Sequence, residues 1–214
     1  MTNIVLYRKY RPKSFSDVAG QQHIVQTLKN AVSYDMLSHA YLFSGPRGSG
    51  KTSLARLLAK AANCQNPKEG EPCNKCESCQ EINANRAIDL IEIDAASNRG
   101  IDEMRDLREG IHFAPNKLKY KVYIIDEAHQ LTKEAANALL KTLEEPPAHA
   151  YFVLATTEVH KIPETIMSRC QQFNFKRIGN AEIVERLEEI GKEEKIEIEK
   201  RGLEDISKIG SGSM

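Results

Sequence analysis

The chain has 214 residues, 41% of them hydrophobic, and its 30 Lys and Arg balance 30 Asp and Glu. That length suffices for one large domain, or one domain and a piece of a second, and the zero net charge does not by itself point to a nucleic-acid partner. No run of about 18 apolar residues could span a membrane, and Met1–Tyr10 lacks the apolar stretch of a signal peptide, so the expected location is the cytoplasm.

In chain order, apolar runs that suit buried strands occur at Ala40–Ser44, Ile88–Asp94, Lys121–Asp126, Ala150–Thr156 and Gln171–Phe175. Between them, residues 51–62 carry Leu54, Leu57, Leu58 and Ala61 at helical spacings of three and four, and residues 133–144 carry Ala136, Leu139, Leu140 and Leu143 likewise. Pro146 and Pro147 cannot continue the second helix. Strands alternating with helices predict an α/β fold, a parallel sheet covered on both faces. Residues 63–80, rich in Cys, Asn, Pro and Glu, break this rhythm as an insertion. Beyond Arg177 the pattern turns to charged helix, about 180–195 and again from 202, which predicts one domain over 1–178 and the start of a helical one over 179–214.

Gly45-Pro46-Arg47-Gly48-Ser49-Gly50-Lys51-Thr52 fits the phosphate-binding loop G-x-x-x-x-G-K-[ST], with Ser53 next in line. It follows a predicted strand and opens a predicted helix, as that motif requires. The glycines let backbone N–H groups turn in around a phosphate, and the helix start adds partial positive charge. Lys51 would reach the β- and γ-phosphates of ATP, and the Thr52 hydroxyl would ligate Mg²⁺. Asp126 and Glu127 end an apolar strand, at the edge where open α/β sheets bind ligands. Asp126 would hold Mg²⁺, directly or through water, and Glu127 would orient the attacking water. On their own, two acids after a strand equally suit a solvated turn.

Cys64-x8-Cys73-x2-Cys76-x2-Cys79 gathers four of the five cysteines into sixteen residues. The spacing suits a structural tetrahedral Zn²⁺; two disulfides or free buried thiols are the alternatives, and a reducing cytosol disfavours the disulfides. The intervening residues are polar, which argues against core cysteines, and the cluster is expected on an element separate from the phosphate loop. Cys170 stands apart on a predicted strand as a small buried residue. A threonine hydroxyl in Ala155-Thr156-Thr157 suits contact with a phosphate or the attacking water, or simply a strand position. Arg169 reads as an ordinary surface arginine, and the six histidines show no metal spacing.

Taken in order, Tyr10–Gln21, His39–Thr52, the four cysteines, Asn137–Pro147 and Ser168-Arg169-Cys170 resemble the tau/gamma family of bacterial DNA polymerase III clamp-loader subunits, members of the AAA+ ATPases. The resemblance covers residues 4–214. Delta-prime subunits share the cysteine module and Ser-Arg-Cys but typically lack a working phosphate loop, so the intact loop points to tau/gamma. The resemblance implies an AAA+ P-loop fold with a five-stranded parallel sheet, an inserted zinc module and the start of a helical lid. It implies an ATPase within the DNA polymerase III holoenzyme that opens and loads the sliding clamp onto primed DNA. The partners it implies are delta, delta-prime and further tau/gamma copies. Thr157 becomes a sensor, and Arg169 an arginine finger acting in trans on the neighbouring subunit, worth about 10³–10⁵ in rate. Arg11 and Val18 would lie near adenine and ribose, and Lys141 and Thr165 near the DNA backbone. One departure is Ala128-His129-Gln130, where the family usually has valine and methionine around the histidine.

Two rivals remain at this level: another AAA+ machine, such as a helicase loader or branch-migration motor, and a non-hydrolysing nucleotide-bound scaffold. The chain stops at Ile209–Met214, where the family continues into an arginine opening a lid helix. It is therefore expected to behave as part of a longer subunit: folded, weak in nucleotide binding, with little ATPase activity and no clamp loading alone.

Overall fold

The computed structural model describes residues 5–97, 107 and 109–213. Five strands, β1 (Ala40–Ser44), β2 (Leu90–Asp94), β3 (Lys121–Asp126), β4 (Ala150–Thr156) and β5 (Gln171–Asn174), form one sheet in the order β2-β3-β4-β1-β5. Every pairing is parallel. The main helices are α1 (Gln22–Ser33), α2 (Lys51–Ala62), α3 (Glu77–Asn83), α4 (Lys133–Glu144), α5 (Asn180–Glu194) and α6 (Lys200–Gly210).

Alternation along the strands builds a core on each side of the sheet. Ala40, Leu42, Tyr123, Ile125, Phe152 and Leu154 face α4, which answers with Ala135, Ala136, Leu139 and Leu143. Tyr41, Phe43, Val122, Ile124 and Val153 face α1 and α2, which bring Ile24, Leu28, Leu54, Leu57 and Leu58. Each such large side chain taken from water contributes about 1.5–3 kcal/mol. The strands and the two helices at 51–62 and 133–144 therefore lie where apolar periodicity puts them. Thr132 starts α4 by accepting a 3.2 Å hydrogen bond from Ala135 N.

The structure departs from the sequence reading in five places. β5, read as a buried strand over Gln171–Phe175, is an edge that ends at Asn174, with Phe173 its one buried residue. β2 is not a buried strand: it is an edge, paired with β3 and half-exposed, and it begins at Leu90, leaving Ile88 72% exposed. Helix α1 was not anticipated, although Ile24 and Leu28 stand one turn apart on its buried face. The inserted stretch closes in α3, which runs past residue 80 to Asn83. Cys79 is a core cysteine after all, fully buried in α3 despite its polar neighbours. Downstream of β5, α5 and α6 pack on one another, with Ile183 and Leu203 buried.

Candidate functional site

β1 lies between β4 and β5, and its register pairs Ser44 with Thr156, the last residue of β4. β4 in turn lies beside β3, whose last residue is Asp126. The sheet thus delivers the 45–53 loop, the two acids and the 156–157 threonines to one edge, at the point where strand order reverses.

The loop leaves β1 at Gly45, φ 147°, where a methyl group would stand 2.5 Å from Phe175 O. Gly48, φ 74°, has no room either: a methyl group there would meet Ser213 Oγ at 1.8 Å. The C-terminal stretch is thus packed on the loop, and the sequence reading did not assign Ser213 to the site. Ser49 is buried and its hydroxyl donates to Pro46 O at 2.8 Å, while Arg47 projects into solvent. Gly50 precedes the first turn of α2, so the N–H groups of Lys51, Thr52 and Ser53 begin the helix without intrahelical acceptors.

Lys51 is buried, and its ammonium donates to Gly45 O and Pro46 O, both at 2.8 Å. Burial pushes its pKa down, and Glu127 and Asp126 act against that shift. Thr52 Oγ1 donates to Asp126 Oδ2 at 2.7 Å, so the two oxygens assigned to Mg²⁺ are neighbours. Hard oxygen donors, one of them a carboxylate, fit that cation. Glu127 is held at φ 48°, a left-handed backbone uncommon for a side-chain-bearing residue and frequent at functional sites. Its amide donates to Asp126 Oδ1 at 2.9 Å and its Oε2 accepts from Thr157 Oγ1 at 3.0 Å.

His129 belongs to the same group. Its Nδ1 lies 3.0 Å from Thr156 Oγ1 and 3.4 Å from Glu127 Oε2, and its Nε2 lies 3.1 Å from Glu158 Oε2. Sequence reading missed it because a histidine without metal spacing looks ordinary; its place two residues after Glu127 was the available signal.

Other assigned residues lie elsewhere. Arg169 donates to Glu144 Oε1 and to Thr165 O, both at 2.7 Å, beside the helical turn Glu164–Met167. Thr165 and Lys141 are exposed. Among the described residues Arg169 makes no contact with the loop of its own chain. Arg11 lines a cavity of about 360 Å³ with Arg8, Lys13, Arg56, Lys60 and Asn83; burial and then Arg56 lower its pKa. Val18 packs on the core with Phe15. Cys170 precedes β5 rather than lying in it; it is half-buried, and burial pushes its thiol up to about 12.

The sulfur atoms of Cys64, Cys73, Cys76 and Cys79 all lie within 4.8 Å of one another. A tetrahedral zinc with bonds of about 2.3 Å needs sulfur separations of about 3.8 Å, so small adjustments close the site. Cys73 N donates to Cys64 Sγ at 3.2 Å, and Cys76 N to Cys73 Sγ at 3.3 Å. Backbone N–H groups of Lys75 and Cys76 hold the Cys73 thiol down at about 6, as a metal ligand requires, while burial raises Cys64 and Cys79. None of the four lies on α2, which runs from Lys51 to Ala62: Cys64 follows two residues later, and Cys79 is in α3.

The sequence profile of the family described as "DNA polymerase III, delta subunit" matches residues 20–179. The chain is 55% identical over all 214 residues to DNA polymerase III subunit tau of Bacillus subtilis (strain 168), covering 38% of that protein. It is 49% identical over all 214 residues to subunit tau of Escherichia coli (strain K12), covering 33% of it. Its sequence spans about a third of the length of these relatives. Among solved structures, the Thermotoga maritima RuvB Holliday junction branch migration motor aligns over 95% of this chain and 61% of its own, with TM-score 0.70 and 22% identity, a likeness of fold. A DNA polymerase III gamma subunit-related protein of the same organism aligns over 78% of this chain and 51% of its own, with TM-score 0.57 and 26% identity.

Proposed function

The chain belongs to the DNA polymerase III delta-subunit family and resembles tau subunits along its whole length, and from that premise we propose that it is the ATP-binding and ATP-hydrolysing motor region of the clamp loader. The observation that carries this reading is the joined network Thr52–Asp126–Glu127–Thr157 beside Lys51. Lys51 and the free amides at the start of α2 take the nucleotide phosphates. Thr52 and Asp126 hold Mg²⁺, which supplies positive charge against the charge developing on the transferred phosphoryl group. Glu127, kept in place by Thr157 and flanked by His129, accepts hydrogen bonds from the attacking water and fixes its direction. Arg169, half-exposed and paired with Glu144 at the end of α4, acts on a neighbour's nucleotide. The four cysteines hold a structural Zn²⁺.

Similarity to subunits of a replicative polymerase supports delta, delta-prime and further tau/gamma copies as partners, with the sliding clamp and primed DNA as what the assembly acts on. Residues 179–213 serve as the start of a lid, and Ser213 beside Gly48 supports this, since it brings that segment against the loop. The deciding experiment is ATP turnover by the reconstituted loader, with sliding clamp and primed DNA in one arm and a four-way junction in the other. Stimulation by clamp and primer supports the proposal; stimulation by the junction alone favours a branch-migration motor; a Glu127→Gln variant with unchanged turnover removes the assignment of Glu127.

A further inference from the structure

Lys60 and Glu71 tie the cysteine segment to the amino-terminal segment. Lys60, on α2, is 2% exposed, and its ammonium donates to Lys13 O, to Asn74 Oδ1 at 2.7 Å and to Asn83 Oδ1 at 2.8 Å. Asn74 lies between two of the cysteines, and Asn83 ends α3, which carries Cys79. Two residues before Cys73, the Glu71 carboxylate accepts from Phe15 N at 2.8 Å and Ser16 N at 3.1 Å, and pairs with Lys29 Nζ at 3.2 Å. Phe15 is in turn 1% exposed in the core.

The direct partners of Lys60 are neutral oxygens, and a buried ammonium among neutral groups is costly. Its burial lowers the pKa; Cys79, then Asp17 and Cys64, act in the opposite sense, while Lys13 adds to the lowering. Four thiolates around one divalent cation leave about two negative charges in excess, which with Asp17 supplies countercharge to a buried ammonium. The same metal fixes the loop bearing Asn74 and, two residues ahead of Cys73, Glu71.

We propose that the four-cysteine centre, when it holds its metal, clasps residues 13–16 through Lys60 and Glu71 and so sets the placement of the amino-terminal segment that carries Arg11 and Val18. The clasp stands on these contacts; its effect on nucleotide affinity rests on the reading of Arg11 and Val18 as base-side contacts.

The test is amide hydrogen exchange on the full chain under reducing conditions, without nucleotide, comparing Zn²⁺-loaded protein, protein stripped with a chelator, and the Zn²⁺-loaded Glu71→Gln and Lys60→Met variants. In the loaded protein the Phe15 and Ser16 amides are protected. Stripping, and Glu71→Gln with its zinc retained, each speed exchange at these two amides by about tenfold or more, the loss expected for a hydrogen bond to a charged acceptor. The Ile124 and Val153 amides at the sheet centre stay unchanged. Lys60→Met loses zinc to the chelator faster than the parent; if that variant does not fold, Glu71→Gln carries the test. Unchanged protection of Phe15 and Ser16 after stripping, or in Glu71→Gln, overturns the clasp. Titration with Mg-ATP adds a separate readout. Lost protection with weakened ATP binding supports both readings, whereas lost protection with unchanged ATP affinity upholds the clasp and removes Arg11 and Val18 from the base site.

Discussion

Thr157 Oγ1 donates to Glu127 Oε2 across 3.0 Å, so the threonine proposed as sensor and the acid proposed for water activation are one hydrogen-bonded unit. Glu127→Gln should leave nucleotide binding in place and cut turnover in the assembled loader by about 10²–10⁴, the usual share of a general base. Thr157→Val frees the carboxylate and should cost less. Single-turnover hydrolysis beside equilibrium binding separates the two; equal losses of binding and turnover in Glu127→Gln would contradict the assignment.

Lys51 places one ammonium between two loop carbonyls and near two carboxylates. Lys51→Ala should weaken nucleotide binding by about ten- to a hundredfold, as loss of a charge-assisted contact does. Isothermal titration with ATP and Mg²⁺ measures it, and a thermal melt establishes that the variant is folded. Since Lys51 is itself buried, the melt should shift little or upward.

One zinc per chain should be found in freshly reduced protein by elemental analysis. Cys73→Ser or Cys76→Ser should lower that stoichiometry and the resistance to a chelator. Protein free of zinc after preparation under reductant would show that the sulfur cluster is not a metal site.

Asp89 is buried, and its carboxylate accepts from the amides of Asn116, Lys117 and Leu118 at 2.8, 2.8 and 3.0 Å. Burial raises its pKa, but these three donors and Lys121 outweigh burial, and the net shift is downward from 3.8. A depressed carboxyl stabilises the fold above its unfolded value and loses that contribution as pH falls through its folded value. Asp89→Asn should therefore cost about 1–3 kcal/mol at neutral pH. The gap from the parent should narrow below pH 3.8, which urea melts at several pH values will measure.

Arg169 and Glu144 form a half-exposed pair at 2.7 Å, worth at most about 1 kcal/mol. Arg169→Ala should spare folding and nucleotide binding of the isolated chain while reducing turnover in the assembled loader. A variant that loses ATP affinity as a monomer would show that Arg169 acts within its own chain.

The sheet and the helices at 51–62 and 133–144 were legible in the sequence because buried apolar periodicity sets them, and residues such as Leu42 and Leu139 can satisfy it in one way. That the 45–52 loop would meet Asp126 was legible because the glycines mark a turn after a strand and the two acids mark the end of a neighbouring one. What escaped the sequence depends on distant contacts. His129 joins the site through Thr156 and Glu158, remote in sequence. Lys60 belongs to no motif, and its acceptors come from residues 13, 74 and 83. β2 has an apolar pattern but ends up at the sheet edge, which only the strand order decides.

Helix α2 has twelve residues, with Lys51 at one end and the cysteine cluster just past the other. At 1.5 Å per residue it is a rod of about 18 Å, and a tilt of about 5° about its cysteine end swings Lys51 by about 1.6 Å. Misplacement of a reacting group by about 1 Å can cost a hundredfold in rate. On the proposed reading α2 is therefore a lever arm, and a disturbance too small to unfold anything at its thiol end would arrive at the phosphate loop as a displacement large enough to slow hydrolysis.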